Sequence, residues 1–184
     1  MIKSIALVLL LAFGLALAPV EPKGHQFENW KRYTPDGCGL SLELPSAAVP
    51  LKLPIPDDLK KDVRYLRYYQ SAGDQFVLLI IHCSSFKSLS AKGFAKGVTE
   101  GLFDHPDVTD FKVSTEPGSD LVAPLKGTYK QKGTALEMNG FAMGRETHTW
   151  SVIGMFRQGN EAAAKSVQRA LESANFDGSQ CPDQ

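Results

Sequence analysis

Hydrophobic and polar positions change period several times along this chain. Leu40, Leu42 and Leu44 alternate with Ser41 and Glu43, the period-two signature of a strand with one wet face. Ahead of it, Pro35-Asp36-Gly37 supplies turn chemistry between two extended runs, so a hairpin is expected there. Pro45 ends the second run, and Pro50, Pro54 and Pro56 keep the next stretch out of a helix or central strand. An extended surface strap is predicted, presenting Val49, Leu51, Leu53 and Ile55. The runs VRYLRYYQ and QFVLLIIHCSS follow, joined by Ala72-Gly73-Asp74 as a hairpin loop. In the second of these, Phe76, Leu78 and Ile80 point one way and Val77, Leu79 and Ile81 the other. A strand apolar on both faces must be covered on both faces.

The period then lengthens. Ala91, Phe94, Ala95, Val98 and Leu102 fall at helical spacing, with Gly93, Gly97 and Gly101 forming a smooth stripe. After the loop DHPDVTD come four short extended runs, DFKVST, LVAPLKGTYK, TALEMNGFAMG and THTWSVIGMF. With no room for helices between them they predict an antiparallel meander. Pairing them brings Gly127, Gly140 and Gly154 close together on neighbouring strands, a row expected to be filled by a helix or an aromatic ring, with an open ligand groove as the alternative. Asn160 and Glu161 open a last helix with Ala164, Val167, Leu171 and Ala174 on one face.

Composition adds a compartment. The 184 residues balance 20 basic against 20 acidic side chains, with 43% hydrophobic residues, as expected of one folded domain and not of a nucleic-acid binder. Lys3 precedes an uncharged run from Ile5 to Ala18, shorter than the roughly 20 residues a spanning helix needs. It matches the apolar core of a secretory signal, with small residues at Ala16 and Ala18. The expected organisation is a signal peptide over 1–18, a linker over 19–26, one domain over 27–176 and a loose tail over 177–184. Pro19 disfavours a cut directly after Ala18, so the cleavage position stays open. The product would be periplasmic or extracellular, with no integral membrane span in the mature chain. In an oxidising compartment Cys38 and Cys181 are the first candidates for a disulfide, with Cys83–Cys181 as the alternative.

Candidate chemistry is sparse. His82 and Cys83 are a nucleophile-and-base pair by type, but neighbours on a strand face opposite ways. Asp104, His105 and Asp107, with Asp110, gather metal-ligating types in one loop but lack calcium-loop spacing and any HExxH pattern. They support a metal-dependent or hydrolytic enzyme only as an alternative. His148 and Trp150 share a face of one strand, and Tyr65 and Tyr69 a face of another, which makes an aromatic patch with a titratable neighbour. Arg64 and Arg67 fall on opposite faces and form no phosphate clamp.

The residues Trp30-Lys31-Arg32-Tyr33 and Gly39-Leu40-Ser41-Leu42-Glu43-Leu44-Pro45, with Trp150-Ser151-Val152-Ile153-Gly154 and Asn160, resemble the short patterns of the PsbP-like superfamily. Its members include a photosystem II subunit, a Ran-binding import factor and many exported bacterial domains. The resemblance implies an α+β fold, a central antiparallel sheet covered on both faces by helices and here also by the strap. It also implies adaptor or assembly work without catalysis, and no cofactor is expected. The expected function is therefore an exported, non-catalytic domain binding a protein partner or small ligand of the cell envelope. Leu51, Leu53, Ile55, Tyr65, Tyr69, His148 and Trp150 are the candidate contact residues.

Overall fold

The computed structural model describes residues 30–35, 39–52, 54–55, 57, 60–86, 108–113, 121–131, 133–145 and 147–176, with 108–113, 121 and 131 described as backbone. Its strands are β1 (Lys31–Tyr33), β2 (Leu40–Leu44), β3 (Val49–Leu51), β4 (Val63–Gly73), β5 (Phe76–Ser85), β6 (Val108–Val113), β7 (Leu121–Gln131), β8 (Thr134–Arg145), β9 (His148–Arg157) and β10 (Asn175–Phe176). Among the described residues one helix, α1 (Glu161–Glu172), lies between β9 and β10.

The long strands make an antiparallel seven-stranded sheet in the order β3-β4-β5-β9-β8-β7-β6. The twice-apolar run sits where its pattern requires, as β5 between β4 and β9, with Phe76 to Ile81 buried on both faces. The strap contributes β3, an edge strand in which Pro50 faces no need to donate to a second neighbour. Two apolar cores follow from the pleat. Leu66, Tyr68, Leu79, Ile81, Ile153 and Met155 lie in the core on one face. Tyr69, Phe76, Leu78, Ile80, Val152 and Phe156 lie in the core on the other, against α1 and β2.

On that helix-bearing face β2 is the centre of a separate three-stranded sheet, β1-β2-β10. Leu40, Leu42 and Leu44 are buried in the same core as Ala163, Val167 and Ala170 of α1. Asn160 caps the helix, its Oδ1 accepting from the Ala163 backbone N–H at 3.1 Å. The Asn160 side-chain amide also donates to Gln75 Oε1. Gln75 holds a left-handed φ of 60° in the β4–β5 turn, so a glycine-type position is here occupied by a residue that ties the turn to the helix cap. At its other end α1 is clipped to β2 by Arg169, whose Nε and Nη2 donate to Glu43 Oε2 at 3.1 and 2.9 Å.

Two expectations change, and a third falls outside the described residues. The double layer of helices is not what the described residues contain: they are mainly antiparallel sheet with one helix, on one face. The helix expected over Ser88–Asp104 lies outside the described residues, and on the face opposite α1 the partly buried Leu51 and Ile55 pack against the core. The last helix ends at Glu172, short of the expected face residue Ala174, because Asn175 and Phe176 pair with Ser41 and Leu40.

The glycine row is also split. Gly127 pairs with Met138 and Gly140 with Ile153, which places both on the Met138–Ile153 side. Gly154 pairs with Leu78 and so belongs to the helix face. There it is filled: a Cβ on Gly154 would stand 2.2 Å from Val167 Cγ1. A shift of one residue in register changes face, and spacing along the sequence cannot show that shift.

Candidate functional site

The apolar alternation of β5 turns polar at its end. After Phe76, Leu78 and Ile80 on the helix face come His82 and Ser84, both buried. Register then assembles their neighbours. On β4, Arg67 lies opposite His82 and Tyr65 opposite Ser84. On β9, Trp150 lies opposite His82 and His148 opposite Ser84, and Arg145 of β8 lies opposite His148. Four strands thus deliver aromatic, imidazole, hydroxyl and guanidinium groups to one patch beyond the apolar core.

Ring packing holds the patch in place. His82 stacks on Trp150 with centroids 3.7 Å apart and planes 11° from parallel. Tyr65 meets His82 edge-on at 5.0 Å. The Arg67 guanidinium carbon lies 4.5 Å above the Tyr65 ring, and that of Arg145 lies 4.7 Å above Phe176 of β10. His82 Nε2 is 3.3 Å from Tyr65 Oη and 3.3 Å from His148 Nδ1. Ser84 Oγ and Trp150 Nε1 are buried without a hydrogen-bond partner among the described residues. Each such group costs about 1–3 kcal/mol if nothing pairs with it.

The candidate residues are distributed as follows. Tyr65, His148 and Trp150 come together in this patch. Tyr69 shares their face but lies in the apolar core with Phe76 and Ile80. Leu51 and Ile55 pack against the core of the opposite face, away from the patch, and Leu53 lies outside the described residues. Asp104, His105 and Asp107 also lie outside them, as do Cys38 and Cys181, while Asp110 falls within β6. Among the described residues no group of three histidine, cysteine or carboxylate side chains gathers as a metal site. Among them, too, no helix is long and apolar enough to cross a membrane.

His82 and Ser84 were the residues that the pattern offered least help in finding. Their signal is a polar pair continuing one face of an otherwise apolar strand, and its meaning depends on which residues register places opposite.

Cys83 faces away from His82, toward the core of the other face. Burial pushes its thiol up to about 11, against the pull of a hydrogen bond with Thr149. At neutral pH it is a protonated core side chain, not a nucleophile. An unfolded thiol ionises at about pH 8.5. Above that pH the unfolded chain loses a proton that the native state keeps. The stabilisation is therefore fully present below pH 8 and is lost as pH rises toward 11, at up to roughly 1.4 kcal/mol per pH unit. Burial also raises the phenol of Tyr68, a contribution with the same sign. Urea unfolding at pH 7.5 and 10.5 should show a steeper loss for the wild type than for Cys83→Ala. Equal losses would contradict the buried thiol.

No family model matches the chain, so membership of the PsbP-like superfamily is not shown, and no curated protein matches it. Solved structures do. LpqN of Mycobacterium tuberculosis, described as involved in cell envelope biogenesis, is similar over 72% of this chain and 86% of its own, with 13% identity and a TM-score of 0.45. A protein of Bacteroides thetaiotaomicron is similar over 80% of this chain and 48% of its own, with 13% identity and a TM-score of 0.44. A Pseudomonas aeruginosa protein of unknown function is similar over 78% of this chain and 96% of its own, again at 13% identity, with a TM-score of 0.37. No residue role passes from them to this chain.

Proposed function

We propose that this chain is an exported, non-catalytic binding domain that takes a small ligand at the Tyr65–His82–His148 patch. The observation that carries the reading is a pair of buried polar atoms on that patch, Ser84 Oγ and Trp150 Nε1, which have no hydrogen-bond partner among the described residues. A native fold tolerates such groups where something else satisfies them. Export is supported by the leader from Lys3 to Ala18, with its short apolar core and small closing residues. A non-catalytic role is supported by the protonated, inward-facing Cys83 and by the separation of His82 from it across the sheet.

A small ligand is favoured over a docked protein. Among the described residues the exposed large hydrophobics are Val49 and Phe86, at 59% and 55%. Two separate side chains do not make the contiguous apolar patch of several hundred square ångströms that protein docking uses. Native mass spectrometry of the chain purified from its own host tests the reading. The wild type should carry extra mass that His148→Ala lacks. Identical masses for the two would count against a ligand at this patch.

A further inference from the structure

We propose that Tyr65 Oη, His82 Nε2 and His148 Nδ1 bind a divalent transition-metal ion of the copper–zinc kind. This rests on the ligand-site reading above and names its ligand class.

The two contacts at His82 Nε2 are poor hydrogen bonds. Both measure 3.3 Å, beyond the usual 2.7–3.2 Å for a nitrogen donor. More decisively, an imidazole nitrogen has one in-plane direction, carrying either one hydrogen or one lone pair. It cannot aim well at a phenol and a second imidazole together. A central ion resolves the conflict, because each donor then points at the ion and not at its neighbour. The spacing agrees. Ligands about 2.05 Å from a tetrahedral ion stand about 3.3–3.4 Å from one another, and both observed separations are 3.3 Å.

The surroundings suit a preformed site. Trp150 stacked on His82 fixes the imidazole plane, and Arg67 over Tyr65 fixes the phenol ring. Three ligands leave a fourth position open. Ser84 pairs in register with both Tyr65 and His148 and holds a buried hydroxyl without a partner among the described residues, so a ligand at that position would have a hydrogen-bond partner ready. The donor chemistry selects the ion. Imidazole nitrogens favour copper and zinc, whereas calcium and magnesium require oxygen ligands. On binding, the phenol O–H breaks, the oxygen–metal bond forms and the proton leaves to solvent, so uptake strengthens as pH rises.

The test is titration of the untagged, chelator-stripped chain with copper(II) chloride and, separately, zinc chloride, followed by calorimetry. One equivalent should bind. His148→Ala, at a partly exposed position, should weaken binding by at least the roughly 10–100-fold that even outer-shell partners control. Tyr65→Phe should abolish the visible phenolate-to-copper charge-transfer absorption while keeping circular dichroism unchanged. In a Trp30→Phe background copper should quench the remaining Trp150 fluorescence. Equal affinities for wild type and His148→Ala, or no phenolate band, would overturn the metal site. If neither ion binds yet a retained organic mass depends on His148, the metal inference fails and the ligand-site reading stands. Absence of both brings down the two together.

Discussion

Replacing Leu78 and Leu79 together with alanine is expected to leave the domain unfolded or nearly so at 25 °C. These adjacent residues are 0% and 2% exposed and belong to different cores, Leu78 to the one under α1 and Leu79 to the one on the opposite face. A buried leucine cut to alanine costs about 2–5 kcal/mol. Because the two side chains share no packed neighbours across the sheet, the costs should add to about 4–10 kcal/mol. That matches the lower and middle part of the roughly 5–15 kcal/mol that typically stabilises a domain. Urea unfolding of both single variants and the double variant checks it. A single variant costing less than about 1 kcal/mol would mean that its face of β5 is not packed.

Alanine at Gly154 and at Gly140 should destabilise for different reasons, and a second substitution should tell them apart. At Gly154 the added Cβ would lie 2.2 and 2.8 Å from Val167 Cγ1 and Cγ2, in the contact where α1 rests on β9. Valine in a helix has essentially one rotamer, so it cannot turn aside, and overpacking of this kind costs about 1–3 kcal/mol. Val167→Ala removes the colliding methyl groups. Gly154→Ala combined with Val167→Ala should therefore be more stable than the sum of the single losses predicts. At Gly140 the Cβ would meet the Val152 carbonyl oxygen at 2.2 Å and Ile153 Cα at 3.0 Å. Those are backbone atoms of β9, so the strands must part. Gly140→Ala should fall at or beyond the upper end of about 1–3 kcal/mol, without rescue from Val167→Ala. Strict additivity of Gly154→Ala and Val167→Ala in thermal unfolding would refute the contact.

The same distinction between local and distant neighbours explains which parts of the fold were legible. The β1–β2 and β4–β5 hairpins and the β7–β8–β9 meander follow from alternation interrupted by turn residues. The start of α1 follows from Asn160 and Glu161, and of the expected stripe Val167 is fully buried while Ala164, Leu171 and Ala174 pack half-buried against the core; the buried Ala163 and Ala170 were not singled out. Its end was misjudged because Asn175 and Phe176 are drawn into a strand by β2, more than 130 residues earlier in the chain. One turn is shifted slightly: the β4–β5 turn falls on Asp74-Gln75, where the Asn160 side chain secures Gln75.

For the candidate site, the pairings Tyr65 with Tyr69 and His148 with Trp150 were visible as period-two neighbours on single strands. That His82 joins Tyr65 and His148 is not visible there, since along the sequence its only chemical neighbour is Cys83, on the opposite face.

Periodicity, turn residues and a capping asparagine act within a few positions, so composition and pattern were enough to establish that β5 is a central strand, which runs pair as hairpins and where α1 begins. Which face each glycine occupies, that β2 joins a second sheet, and that Tyr65 Oη and His148 Nδ1 each stand 3.3 Å from His82 Nε2 all depend on strand register between distant segments. Register is set by the summed packing of whole faces, where a slip of one residue exchanges core for solvent. No short stretch of sequence carries that sum, and only the folded sheet does.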